Sequence, residues 1–152
     1  MKAFQSNHRK REITRRRKIH DELVNRVHSS PEILGIEGLS DDKILAKEMF
    51  PTNDRGSETG DLLLIWEPSS EVWEVLVIEV TSSPFRTLGH EFLKLSKSIT
   101  HFSSNWKKLF SNHNLSLPEN HKLRIRGASI SYAGKVPWGE PFVTLGKVHS
   151  KR

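Results

Sequence analysis

Two apolar runs, Leu62 to Trp66 and Val72 to Val80, flank the turn-forming Pro68-Ser69-Ser70, and this pattern predicts a hairpin of two extended strands. Alternation along the hairpin puts Leu62, Leu64, Leu76, Ile78 and Val80 on one face and Leu63, Ile65, Trp73, Val75 and Val77 on the other. Both faces are apolar, so the strands are expected to be covered on both sides. Helical spacing recurs twice. Over 5–29, Ile13, Ile19, Leu23 and Val27 gather on one side with His20 and Val24 close by. Over 87–111, Phe92, Leu95, Ile99, Phe102, Trp106, Leu109 and Phe110 form a stripe that should pack on the sheet.

The rest of the chain is punctuated by short signals. Ser40-Asp41-Asp42 reads as the start of a helix, with Ile44, Leu45 and Met49 on its apolar side and Pro51 closing it. Residues 122–132 alternate as a strand, with Gly127 as an expected bulge, and 142–148 read as another strand. The expected architecture is α/β: a mixed central sheet of four to five strands flanked by helices, in one domain. A basic N-terminal helix or arm (1–30) precedes the core (31–146), and a loose basic tail (147–152) follows it.

Each strand of the hairpin carries one carboxylate among apolar neighbours: Asp61 at the start of the first and Glu79 late in the second. An odd-length loop centred on Ser70 places Asp61 directly across from Glu79, whereas an even loop sends the two to opposite faces. We take the odd register. Two ionised carboxylates about 5 Å apart repel by on the order of 3 kcal/mol at an effective dielectric of about 20. A shared proton, a nearby basic group or a divalent cation would offset that, and hard oxygen ligands favour Mg²⁺ or Mn²⁺. The plainer alternative is a turn aspartate at 61 and a buried Glu79 paired with Arg124 or Arg126.

Composition narrows the function classes. The 152 residues include no cysteine, which excludes disulfides, zinc thiolates and iron–sulfur clusters. No apolar run approaches membrane-spanning length, so the expectation is a cytoplasmic protein without membrane partners. Charge is segregated. Residues 1–30 hold nine basic and three acidic groups, 31–79 hold three and twelve, and 80–152 hold twelve and three. An acidic middle between basic flanks suits a cation-holding site bordered by surfaces that attract a polyanion. Arg9, Lys10, Arg11, Arg15, Arg16, Arg17 and Lys18 are the candidate phosphate contacts on the first helix. Glu48, Asp54 and Glu58 are further acids near the hairpin, while His90, Lys94, Lys97 and His101 line the polar side of the second long helix.

Gly60-Asp61 together with Ile78-Glu79-Val80-Thr81-Ser82-Ser83, set in this order of elements, resembles the PD-(D/E)xK nuclease superfamily, in particular the I-E-V-K-S-S strand of its resolvase-like and Mrr-like members. The resemblance implies a restriction-endonuclease-like fold. It also implies that Asp61 and Glu79 ligate Mg²⁺ or Mn²⁺, that Val80 supplies a backbone carbonyl, and that Glu12 or Glu22 assists. The sequence departs from the pattern at Thr81, which stands where the family has its catalytic lysine. A hydroxyl supplies neither positive charge nor a useful base near neutral pH. Lys94 and Lys97 are the nearest replacements in sequence. The function so implied is a Mg²⁺-dependent DNA endonuclease acting as a homodimer, in recombination, repair or mobile-element transfer. The alternative is a catalytically inactive nucleic-acid-binding protein on the same scaffold.

Overall fold

The computed structural model describes the backbone of residues 2–50, 60–81, 88–131, 142–145 and 149–151, and the side chains of residues 10, 11, 17–50, 60–80 and 93–130. In chain order the elements are α1 (Lys2–Ser29), β1 (Ile44–Met49), β2 (Leu62–Ser69), β3 (Val72–Thr81), α2 (Leu88–Asn112), β4 (Lys122–Ser131), β5 (Phe142–Leu145) and β6 (His149–Lys151). The strands form one mixed sheet in the order β1-β2-β3-β4-β5, with β6 also on β4. β1, β2 and β3 are antiparallel neighbours, and β4 runs parallel to β3 after the α2 crossover. The chain is thus α/β, one small domain with helices flanking a mixed sheet.

The two hydrophobic faces fall as the alternation predicts. Leu62, Leu64, Trp66, Leu76, Ile78, Val80, Ala128 and Ile130 meet Leu23, Val24 and Val27 of α1. On the other face Leu63, Ile65, Val75, Val77, Leu123 and Ile125 meet Ile99, Phe102, Leu109 and Phe110 of α2. Each aliphatic side chain withdrawn from water contributes about 1.5–3 kcal/mol, so the central hairpin, enclosed on both sides, is the most heavily stabilised part of the chain. Among the described residues no helix is long and apolar enough to cross a membrane.

The hairpin has the expected register by an unexpected route. Its turn is an even one, with Ser69 paired to Val72 across Ser70 and Glu71. Left alone, that turn would invert every facing pair. The inversion is undone by a bulge, because Glu67 and Pro68 together stand against Trp73, and from Trp66↔Glu74 onward the ladder runs to Leu62↔Ile78. Pro68 suits this place, since a residue without an N–H is tolerated at bulges. The bulge also lets Glu67 accept a hydrogen bond from Trp73 Nε1 at 3.1 Å.

Three local expectations are corrected. Residues 41–43 make only a single 3₁₀ turn, and 44–49 form β1 instead of continuing a helix. The outer edge of β2 needs partners for its backbone groups, and pairing with β1 meets that need where a short isolated helix would not. The last residues do not hang loose: His149–Lys151 pairs with Leu123–Ile125. Gly127 lies in an unbroken parallel ladder, so it is no bulge. Its role is to admit α2, since a Cβ there would lie 3.1 Å from both Leu95 Cδ2 and Ile99 Cδ1. Gly127→Val should therefore lower stability by about 1–3 kcal/mol through overpacking, despite the higher strand preference of valine. Urea denaturation of both proteins measures this, and a neutral or stabilising result would contradict the packing.

Candidate functional site

Asp61 sits where β2 begins, and its placement starts with Gly60. The backbone there has φ +81°, and a Cβ would approach Val77 Cγ1 to 3.0 Å and the Ile78 carbonyl to 3.3 Å. Only glycine adopts this conformation against these neighbours without strain. The Asp61 N–H then donates to the carbonyl of Ile78, the residue already opposite Leu62. Two consecutive residues thus stand against one, a local bulge that re-aims the Asp61 side chain. It turns toward α1, where Asp61 Oδ1 lies 3.2 Å from Nε2 of His20. Its other oxygen, Oδ2, accepts the Val80 N–H at 2.8 Å, a backbone donor beyond the last β2–β3 pair.

His20 was not among the residues that the sequence singled out as chemical. It lies next to Ile19 at the border of the apolar stripe of α1, and only its position beside the core hinted that it faces inward. In the structure it is 18 % exposed and Asp61 13 %, so both groups are largely withdrawn from water. Burial alone pulls the His20 pKa down. The hydrogen bond and charge of Asp61 and the same contributions from Asp21, whose Oδ1 is 3.2 Å from His20 Nδ1, outweigh burial and leave His20 raised. For Asp61, burial pushes upward, but His20, the Val80 N–H and a hydrogen bond with Glu79 together hold it below the ordinary carboxylate value.

Glu79 completes the pair. Alternation sends it off β3 on the α2 side with Val75 and Val77, and it is 7 % exposed. The two acids therefore reach one point from different faces of the sheet, at the end where the β2–β3 ladder stops. A hydrogen bond between the two carboxyl groups is among the contacts that hold the Asp61 pKa down. Ser129 is the register partner of Glu79 on β4, and its buried Oγ has no hydrogen-bond partner among the described residues. Arg126, one of the expected guanidinium partners, pairs with Glu74 through Nη2 at 2.9 Å.

The other expected residues divide clearly. Val80 belongs to the site through its N–H. Thr81 ends β3, with its side chain outside the described residues, as are those of Glu12, Arg9, Arg15 and Arg16 and the whole of Asp54 and Glu58. Glu22 points to solvent, since His20, two residues earlier on α1, takes the inward position; Glu22 does not complete the site. Glu48 is engaged elsewhere, 2.7 Å from Nε2 of His113 at the end of α2. Lys94 and Lys97 are exposed on α2, and among the described residues His20 is the basic group that acts on Asp61. Lys10, Arg11, Arg17 and Lys18 are exposed along α1. Among the described residues no group of three or more His, Asp or Glu side chains is arranged to hold a metal ion. The donor set at Asp61 and Glu79 still fits Mg²⁺, which is commonly held by one or two carboxylates with water completing its shell.

The shifted pKa values give a pH signature. A raised His20 contributes stability below its ordinary value of 6.5 and loses it as pH rises through its folded value. A lowered Asp61 contributes above its ordinary 3.8 and loses it as pH falls through its folded value. The pair is thus fully stabilising between about 3.8 and 6.5. His20→Gln should cost about 1–3 kcal/mol in urea denaturation near pH 5.5, and that difference should shrink by pH 9. An equal loss at both pH values would show that charge on His20 is not what matters. In comparisons with protein-family models, curated proteins and solved structures, none matches this chain.

Proposed function

We propose that this chain is a divalent-metal-dependent endonuclease that hydrolyses DNA phosphodiester bonds. The observation that carries the reading is the convergence of the Asp61 and Glu79 carboxyls at the end of the β2–β3 ladder, beside the Val80 backbone. Two largely buried acids that meet beside an imidazole form a site that a doubly charged cation would stabilise without rebuilding the fold. Asp61 and Glu79 would hold Mg²⁺ or Mn²⁺, with the Val80 carbonyl as a third donor. Such an ion polarises a phosphoryl oxygen and lowers the pKa of bound water.

The chain's own groups supply the rest. His20 fixes the Asp61 carboxylate through Nε2 at 3.2 Å, and its raised pKa favours positive charge beside the acids, where Thr81 stands in place of the motif lysine. Arg17 and Lys18 lie within one turn of His20 on α1, about 5 Å of helix rise, so phosphates bound along this helix run toward the acid pair. One candidate site per chain and two strands per duplex favour a homodimer.

A second reading rests on Thr81, which stands where the resemblance expects the catalytic lysine: a DNA-binding protein that has lost catalysis. A plasmid-nicking assay separates the two. On the first reading, Mg²⁺ or Mn²⁺ supports nicking, chelator stops it, and Asp61→Ala and Glu79→Ala each reduce the rate by about a hundredfold or more while circular dichroism stays native. On the second, no nicking occurs, and salt-dependent DNA binding is unchanged or strengthened when either acid is removed. Metal-dependent nicking that survives both substitutions would remove the site assignment.

A further inference from the structure

At the other end of β3 a second group of charged side chains lines a cavity of ≈ 380 Å³. Its walls include Ile36, Glu37, Trp66, Pro68, Arg124 and Arg126, and Glu74 faces it as well. Five residues of β3, about 16 Å of extended chain, separate Glu74 from Glu79, so this cavity and the acid pair are distinct places. Its volume lies within the range of about 300–1,000 Å³ common for small-ligand sites.

Arg126 is only partly satisfied. Its Nη2 donates to Glu74 Oε2 at 2.9 Å, and the same oxygen accepts Trp66 Nε1 at 2.7 Å. The pair neutralises Glu74, which is 2 % exposed. The buried Nε of Arg126 nevertheless has no partner among the described residues. Arg124, two residues earlier on the same face of β4, is exposed and has no ion-pair partner among the described residues, although Glu37 lines the same cavity. Two guanidinium groups spaced by two strand residues, roughly 7 Å, bracket a space suited to an oxyanion. Planar forks of this kind match phosphate geometry better than ammonium groups do. β6 adds to the setting by pairing Ser150 with Arg124 and Lys151 with Leu123, which brings the basic C-terminal strand to the same end of the sheet.

We propose that this cavity binds a nucleotide unit. Its phosphate lies between Arg124 and Arg126, its base rests against Ile36 and Pro68, and Glu37 accepts a hydrogen bond from a base N–H. The nucleotide is either free or part of a nucleic-acid strand, and the chemistry of recognition is the same. The proposal does not rest on the metal-centre reading, since it concerns other residues and requires no cleavage.

The experiment is isothermal titration of the full chain, with chelator present, using adenosine 5′-monophosphate, adenosine and a short 5′-phosphorylated oligonucleotide. Adenosine should bind roughly tenfold or more weakly than its monophosphate. Arg124→Gln should weaken the monophosphate by a similar factor without changing the melting temperature, because Arg124 is exposed. Arg126→Lys keeps a cation for Glu74 while removing the fork, and should weaken binding too. Lys108→Gln on α2, exposed and away from this cavity, should leave the monophosphate affinity unchanged. Tighter binding of the oligonucleotide than of the mononucleotide assigns the site to a nucleic-acid strand, and the reverse order assigns it to a free nucleotide. Equal affinity for adenosine and its monophosphate, unaltered affinity in Arg124→Gln, or no saturable binding of either phosphate probe at millimolar concentration would overturn the proposal.

Discussion

The contact between His20 and Asp61 is the constraint on which the arrangement of the sheet end depends. Asp61 is drawn out of water by the glycine before it and by the bulge that turns it toward α1, and a buried carboxylate without a partner would be protonated or would destabilise the fold. At 3.2 Å and an effective dielectric of about 20, an imidazolium attracts it by on the order of 5 kcal/mol before desolvation is counted. That exceeds the roughly 3 kcal/mol by which a second carboxylate about 5 Å away would repel it. The Val80 N–H adds a fixed donor where the β2–β3 ladder ends. One side chain thus ties α1, β2 and β3 together, and the docking of α1 is inseparable from the ionisation of Asp61.

The two buried glutamates of β3 show why one end of the sheet invites chemistry more than the other. Glu74 is neutralised in a conventional way, by a guanidinium and an indole N–H on a single oxygen. Removing Arg126 would leave an uncompensated buried charge, and the pair reads as part of the fold. Glu79, also buried, meets the Asp61 carboxyl at the sheet end. The electrostatics of that meeting change with pH and with any cation that enters between the two acids. Next to it, Ser129 keeps a buried hydroxyl without a partner among the described residues. An unsatisfied hydroxyl beside two neighbouring carboxyls marks a place where the fold has kept polar capacity that packing does not use.

Much of the fold was legible because period and burial agree. Leu62 to Trp66 and Val72 to Val80 alternate onto two apolar faces, and Leu95, Ile99, Phe102 and Phe110 recur at helical spacing, so strands, helices and their facing sides follow from sequence. What failed was local. β1 carries a helix-like opening at Ser40-Asp41-Asp42, and only the unmet hydrogen bonds of β2 make it a strand. Gly127 looks like a bulge in isolation and is a packing notch once α2 lies over it. Asp61 and Glu79 were expected to meet on one face of the hairpin; they meet instead from different faces at the sheet end, through two irregularities, one at Glu67-Pro68 and one at Asp61 itself. His20 was missed because nothing in spacing along a helix reveals which strand end the helix will cover.

The nuclease resemblance expects a lysine where Thr81 stands, and its absence from β3 at that position weighs differently once His20 is seen. A lysine on β3 would bring its charge from the same strand as Glu79, independent of where α1 lies. Positive charge at Asp61 comes instead from α1, the helix whose exposed side carries Arg17 and Lys18. Any polyanion that draws on those cations pulls on the element that also sets the charge at Asp61. On the proposed reading, substrate binding and site electrostatics are then coupled through one helix, whereas a strand-borne lysine would keep them separate. The same coupling serves a binding protein that has lost catalysis, because what it transmits is occupancy of α1 and not a chemical step.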